Sequence, residues 1–185
     1  TSFCYAESRD GIRWTKPKLG FFKYKNSTQN NILFRQIGSK KHRNRSRVHG
    51  TGVFLDAHGP AERRYKAVGQ GLFRRPGQRP HRIAGMFSAD GLQWTRLPRP
   101  VCEDFADSQY SGFWDASRKR YVLYGRVGGR GRSLGRSESK SFARFNGLTL
   151  VAQTNDQDPP QSDLYNSAVI KYPYAPHVYL MFPSL

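Results

Sequence analysis

The sequence predicts an all-β chain made of repeated four-stranded antiparallel units, the build of a β-propeller, and three observations predict it. Aromatic and β-branched residues fall in many short segments punctuated by 18 Gly and 11 Pro, with no sustained apolar stripe at helical spacing. A turn motif recurs along the chain. A pattern of apolar strand, polar turn and second apolar strand precedes that motif twice and starts again near the C-terminus.

The turn motif superimposes without gaps at Ser8-Arg9-Asp10-Gly11-Ile12-Arg13-Trp14, at Ser88-Ala89-Asp90-Gly91-Leu92-Gln93-Trp94 and at Ser139-Lys140-Ser141-Phe142-Ala143-Arg144-Phe145. Each copy reads as a strand end, a tight turn and an aromatic residue opening the next strand. Asp-Gly is a strong hairpin signal because Gly takes positive φ without steric penalty; Ser141-Phe142 stands there in the third copy. The strand pairs run from Val53-Phe54-Leu55-Asp56 to Arg64-Tyr65-Lys66-Ala67-Val68, and from Phe113-Trp114-Asp115 to Arg120-Tyr121-Val122-Leu123-Tyr124. A third runs from Ala168-Val169-Ile170, through the turn Tyr172-Pro173-Tyr174-Ala175-Pro176, to Val178-Tyr179-Leu180-Met181-Phe182.

Joined together, these patterns make four strands per unit. Ser88 and Ser139 lie 51 residues apart, close to the period of about 40–50 residues typical of a propeller blade. Ser8 and Ser88 lie 80 apart, so the first interval must carry insertions: the basic run in residues 36–48, and the polar loop from Arg74 to Arg82 with Pro76, Gly77 and Pro80. The predicted organisation is one incomplete propeller domain of about two and a half to three blades. Residues 1–35 end a blade, 48–105 form a blade with insertions, 106–155 form another and 162–185 start a further one. Thr1 to Tyr5 reads as the middle of a strand, so the true N-terminus is expected upstream. A β-sandwich is the alternative all-β architecture.

Composition bounds what such a chain can do. At 185 residues, with 37% hydrophobic and 14% aromatic residues, it can bury a core. No apolar run approaches 18 residues, so no membrane-spanning segment is expected. Cys4 and Cys102 are the only cysteines and have no partners at metal-ligand spacing; they read as two packed thiols, and neither a metal nor a cofactor is expected. A net charge of +18 would draw acidic polymers. Its densest cluster, Lys40 to Arg47, has five Lys or Arg in eight residues and is expected to be an exposed, mobile loop. The remaining excess is scattered, as at Arg79, Arg82, Arg96 and Arg99, without the base-stacking or groove-reading element that a nucleic-acid partner needs.

The innermost strand of each propeller blade points its early residues at the central channel, so the segments entering those strands are the place to look for a site. They are Val48-His49-Gly50-Thr51-Gly52, Asp107-Ser108-Gln109-Tyr110-Ser111 and Ser162-Asp163-Leu164-Tyr165-Asn166, all polar where a core strand would be apolar. Glycoside hydrolysis needs two carboxylates flanking the bond, and Asp107 and Asp163 are candidates for such a pair. His49 could bind a sugar hydroxyl or tune an acid. Gln109, Tyr110, Tyr165 and Asn166 are candidate substrate contacts, with Trp114 a further ring that could stack. The alternative reading makes each Asp a turn or capping residue and each aromatic a core residue. Glu7 and Glu138 occupy equivalent places beside the repeated serines and read as surface carboxylates pairing with arginines, with an acid pair as the alternative.

Several of these segments carry a family resemblance. Tyr5 to Pro17, Asn30-Asn31-Ile32, Pro60 to Lys66, Asp107-Ser108-Gln109, Phe113-Trp114-Asp115, Ala175-Pro176-His177-Val178-Tyr179 and Phe182-Pro183-Ser184 resemble a bacterial group similar to the five-bladed propeller glycoside hydrolases. Those are the families numbered 32, 43, 62 and 68, with invertases, levansucrases and arabinanases among them. The resemblance implies a five-bladed ring acting on poly- or oligosaccharide, secreted or periplasmic, with an Asp, a second Asp and a Glu on the inner strands of successive blades. Asp107 and then Asp163 match inner-strand carboxylates by position, and no Glu stands at an inner-strand start. The expected function is therefore a glycosidase-like propeller with weak or no activity in this stretch alone. The rivals are a non-catalytic carbohydrate-binding or scaffold propeller and a basic polyanion-binding protein. Open blade edges would also allow self-association.

Overall fold

Four antiparallel sheets follow one another along the chain in a computed structural model that describes residues 2–35, 49–73, 76–105, 107 and 109–184. The basic run Lys40 to Arg47 lies outside the described residues, as do Arg74, Arg75 and Ser108. The first sheet pairs β1 (Ser2–Cys4) with β2 (Ile32–Arg35). The second has the order β3 (Gly52–Leu55), β4 (Tyr65–Leu72), β5 (His81–Ser88) and β6 (Thr95–Arg96), with β7 (Cys102–Phe105) also paired to β5. The third runs β8 (Ser111–Asp115), β9 (Arg120–Gly129), β10 (Gly131–Ser139) and β11 (Thr149–Ala152). The fourth pairs β12 (Val169–Lys171) with β13 (Tyr179–Met181). Among the described residues the one helical element is a 3-10 turn at Ala61–Arg63, and no helix is long and apolar enough to cross a membrane.

Burial follows from the two-residue period of a strand. On β9, Tyr121 and Leu123 face one way and pack with Val68, Ile83, Cys102, Phe142 and Phe145 between the second and third sheets. Val122 and Tyr124 face the other way and pack with Val169 between the third and fourth. A strand covered on both faces loses polar alternation, which is why Tyr121 to Tyr124 is an unbroken apolar run. On β3 one face alone is covered: Phe54 enters the core while Val53 and Leu55 stay exposed. The starts of β3 and β12 both lean on β8, so these three strands form the common inner edge of their sheets.

The repeated motif is not a two-residue hairpin. Thr15 pairs with Glu7 and Thr95 with Phe87, leaving seven-residue loops between them. Side chains organise those loops. Asp90 Oδ1 accepts the amides of Leu92 and Gln93 at 2.8 Å each, Ser88 Oγ accepts the Gly91 amide at 2.9 Å, and Trp94 Nε1 closes onto the Gly91 carbonyl at 2.9 Å. Ser8, Asp10, Gly11 and Trp14 repeat every one of these bonds. Local side-chain acceptors satisfy the loop amides in place of ladder bonds, and Gly91 takes a φ of +76° that an L side chain resists. In the third copy, where Asp is missing, Phe142 and Phe145 turn into the core.

Three further expectations need correcting. His81 and Arg82 belong to β5, opposite Leu72 and Gly71, so the polar loop is shorter than Arg74 to Arg82. Cys102 is buried, but Cys4 is exposed, because its strand belongs to a two-stranded sheet that leaves it open to solvent. Glu138 pairs with Arg118 at 2.8 Å and with Arg136, as expected, whereas Glu7 accepts the Tyr5 hydroxyl at 3.0 Å.

Candidate functional site

The polar segments that enter β3, β8 and β12 meet at one end of the inner edge. The Tyr110 amide donates to the Gly50 carbonyl at 3.1 Å, which sets the lead-in to β8 against the lead-in to β3. His49 Nε2 then lies 3.5 Å from Asp107 Oδ1, and the other oxygen of Asp107 takes Arg126 Nη2 from β9. Across the same end, Asp163 accepts the Arg132 amide at 2.6 Å and the Arg132 guanidinium, while the Leu164 amide donates to the Arg132 carbonyl at 2.9 Å. The start of β10 therefore holds the lead-in to β12.

Both carboxylates are bound by arginine. The Arg132 amide and guanidinium hold the half-buried Asp163 carboxyl below the usual carboxylate range, with Arg126 adding to the effect. A general acid needs the opposite shift, toward a protonated carboxyl at neutral pH. Asp163 is built to stay ionised.

The other expected contacts divide. Tyr165 is exposed, with the Arg132 guanidinium 5.4 Å from its ring centre. Gln109 is exposed on the lead-in to β8. The Asn166 side chain has a buried Oδ1 with no partner among the described residues. Tyr110 is a correction: its ring is 5% exposed in the core, and burial pushes its phenol far up. Gly125 makes this possible, since a Cβ there would fall 2.8 Å from the Tyr110 ring. Trp114 likewise packs against the core, stacked on His58 at 4.1 Å between centroids.

Sequence reasoning missed Arg126 and Arg132, the residues that orient both carboxylates. They flank a hairpin tip, Gly128-Gly129-Arg130-Gly131, whose three glycines in four residues were the available signal. It also missed the carboxylates at the far ends of the inner strands. Asp56 and Asp115 are both fully buried. Asp56 Oδ1 caps the turn to β4 through the amides of His58 and Gly59, and its Oδ2 takes Lys66 and the Tyr121 hydroxyl. Asp115 Oδ1 caps the turn to β9 through Ser117 and Arg118, and its Oδ2 takes Lys171 at 3.0 Å and the Tyr179 hydroxyl. Among the described residues no group of three or more His, Cys, Asp or Glu is placed to hold a metal ion.

No family model matches the chain, and no curated protein matches it. Two solved structures are similar in part. One is a chain assigned as an exo-β-1,3-galactanase from Bifidobacterium bifidum s17, 13% identical, covering 70% of this chain and 43% of that one with a TM-score of 0.48. The other is an exo-β-1,3-galactanase from Phanerochaete chrysosporium solved with galactose, 12% identical, covering 70% of this chain and 30% of that one with a TM-score of 0.47. The chain thus spans less than half the length of either. At that identity and overlap the likeness says nothing about chemistry.

Proposed function

We propose that this chain is part of a five-bladed glycosidase-like propeller, secreted or periplasmic, that binds poly- or oligosaccharide where the lead-ins to β3, β8 and β12 meet. In this reading residues 1–35 end one blade, 48–105 and 106–155 form two more, and 162–185 begin the next. The observation that carries it is the convergence of His49, Asp107, Arg126, Arg132 and Asp163 at one end of three adjacent inner strands. Ion-paired carboxylates and guanidinium groups fixed side by side are suited to the vicinal hydroxyls of a sugar ring, each hydroxyl being both donor and acceptor.

The same pairing argues for binding with little or no hydrolysis by this chain. Asp107 is the candidate base or nucleophile and Asp163 the second carboxylate, and Asp163 is held ionised. A protonated partner is needed to release the leaving group, and its loss removes orders of magnitude in rate.

The test is retention of the purified chain in native gels containing arabinan or fructan, run beside a reducing-sugar assay on both and on aryl glycosides. Retention that Asp107→Asn or Asp163→Asn weakens, without sugar release, is the expected result. Turnover abolished by Asp107→Asn would establish a catalyst instead. Indifference to the neutral glycans, with salt-sensitive retention on heparin, would favour the polyanion-binding alternative.

A further inference from the structure

A cavity of about 600 Å³ opens beside the two aspartates, between β7 and the β9–β10 hairpin. Its size falls within the range of about 300–1,000 Å³ common to ligand pockets. One wall is Phe105, 46% exposed on the last residue of β7 and held edge-on by His81 at 5.9 Å and under Arg79 at 5.6 Å. The facing wall carries Arg126 and Arg132.

Two of the hairpin glycines are fixed by their neighbours and one is not. At Gly129 a Cβ would meet Ser133 Oγ at 2.6 Å, and at Gly131, with a φ of +71°, it would meet Asp163 Oδ1 at 2.3 Å. Both are glycine for reasons internal to the protein. Gly128 is different: it lines the cavity, its φ is not positive, and a Cβ there meets nothing within 4 Å. Nothing among the described residues requires glycine at that position, and a side chain there would extend into open space beside the cavity.

We infer that this cavity binds a uronate residue of an acidic polysaccharide, its ring on Phe105 and its carboxylate on Arg126 and Arg132. The inference rests on the carbohydrate reading above and narrows its ligand. Each guanidinium has five N–H donors, and the pair to Asp107 or Asp163 engages one terminal nitrogen, Nη2 of Arg126 and Nη1 of Arg132. The aspartates fix both groups in place while further donors remain on the cavity wall. The third charged group there, Asp104, has its Oδ2 on the Leu148 amide at 2.6 Å. An aromatic face opposite two oriented guanidinium groups fits a ring with an apolar side and a carboxylate on its rim.

The experiment compares binding of oligogalacturonate with that of the same oligomer after carboxyl reduction, by calorimetry on the intact chain, with dextran sulfate as a polyanion lacking uronate. The expected result is binding about tenfold or more tighter to the uronate form, the scale of one charge-assisted contact. Gly128→Phe and Phe105→Ala should each remove that preference, with an unchanged melting temperature for Gly128→Phe. Equal binding of both oligomers, or a uronate preference that survives Gly128→Phe, overturns the inference. So does dextran sulfate binding the intact chain as tightly as oligogalacturonate. If neutral arabinan or fructan is still bound in an Asp107-dependent way while the uronate preference is absent, the general carbohydrate reading stands and this inference alone fails. If no glycan binds at all, both fall.

Discussion

The Tyr121 hydroxyl donates to Asp56 Oδ2 at 2.7 Å across 65 residues of sequence, and Tyr179 makes the same bond to Asp115 one sheet further on. In each case a tyrosine from the second strand of one sheet closes onto the carboxylate that ends the inner strand of the sheet before. The bond is therefore a repeated clasp between successive sheets. Each clasp includes a lysine, the buried Lys66 or the half-buried Lys171.

Removing the tyrosine alone should weaken the fold moderately. Tyr121→Phe leaves Asp56 buried with Lys66 but short of one donor, a loss of about 1–3 kcal/mol. Asp56→Ala strands the Lys66 ammonium, 4% exposed, and should cost about 3–5 kcal/mol. Urea unfolding curves at equal slope would measure both, and a Tyr121→Phe effect larger than that of Asp56→Ala would contradict the clasp.

Acid should open the second clasp. Burial alone would raise the Asp115 carboxyl, but bonds from Ser117, Tyr179, Lys171 and the Arg118 amide outweigh it and hold the group well below its usual range. A carboxyl lowered by folding contributes stability that is complete above its unfolded value, about 3.9, and lost as pH falls through the folded one. Melting temperature should accordingly decline below about pH 4. Asp115→Asn should melt lower at neutral pH and lose part of that acid dependence.

Thiol labelling should separate the cysteines. Cys102 donates to the Asn146 carbonyl at 3.3 Å, and burial pushes its thiol up to about 11, so it should stay unreactive until the chain unfolds. Cys4 is exposed and should react at once. Two fast equivalents with Ellman's reagent under native conditions would contradict this packing.

The motif loops should differ in importance although their bonds match. Asp90→Ala removes the acceptor of two loop amides next to buried Ser88 and the partly buried Trp94, and should lower stability by about 1–2 kcal/mol. Asp10→Ala removes the same bonds in an exposed loop. Its effect should appear as faster amide exchange at Ile12 and Arg13, with little change in global unfolding.

The strand pattern was legible because apolar alternation and repeated turns are local properties, and the all-β, antiparallel build follows from them. What the sequence concealed were relations between units. The segments ending in Asp56 and Asp115 look alike when superimposed, but superposition shows equivalence and not that Tyr121 from one unit reaches Asp56 of another. Asp-Gly suggested a tight hairpin because that dipeptide is read without its neighbours, whereas Ser88 and Asp90 together make a longer loop cheaper. Tyr110 looked available to a ligand until Gly125, 15 residues on, removed the side chain that would have kept its ring out of the core. Asp107, Asp163 and His49 were proposed from their positions at strand starts. Arg126 and Arg132 were not, because they belong to the second and third strands of the sheet and reach the site only through the turn at Arg130.

The clasps lie at the ends of the inner strands opposite the candidate site. Asp56 follows His49 by seven residues of mostly extended chain, roughly 23 Å at about 3.3 Å per residue, and Asp115 follows Asp107 by eight. Each inner strand is in effect a lever pinned at its far end. Successive sheets are tied there by a phenol on a buried carboxylate, at the end away from His49, Asp107 and Asp163. A substitution at Tyr121 or Tyr179 should therefore alter the spacing of His49, Asp107 and Asp163 from the far ends of those strands.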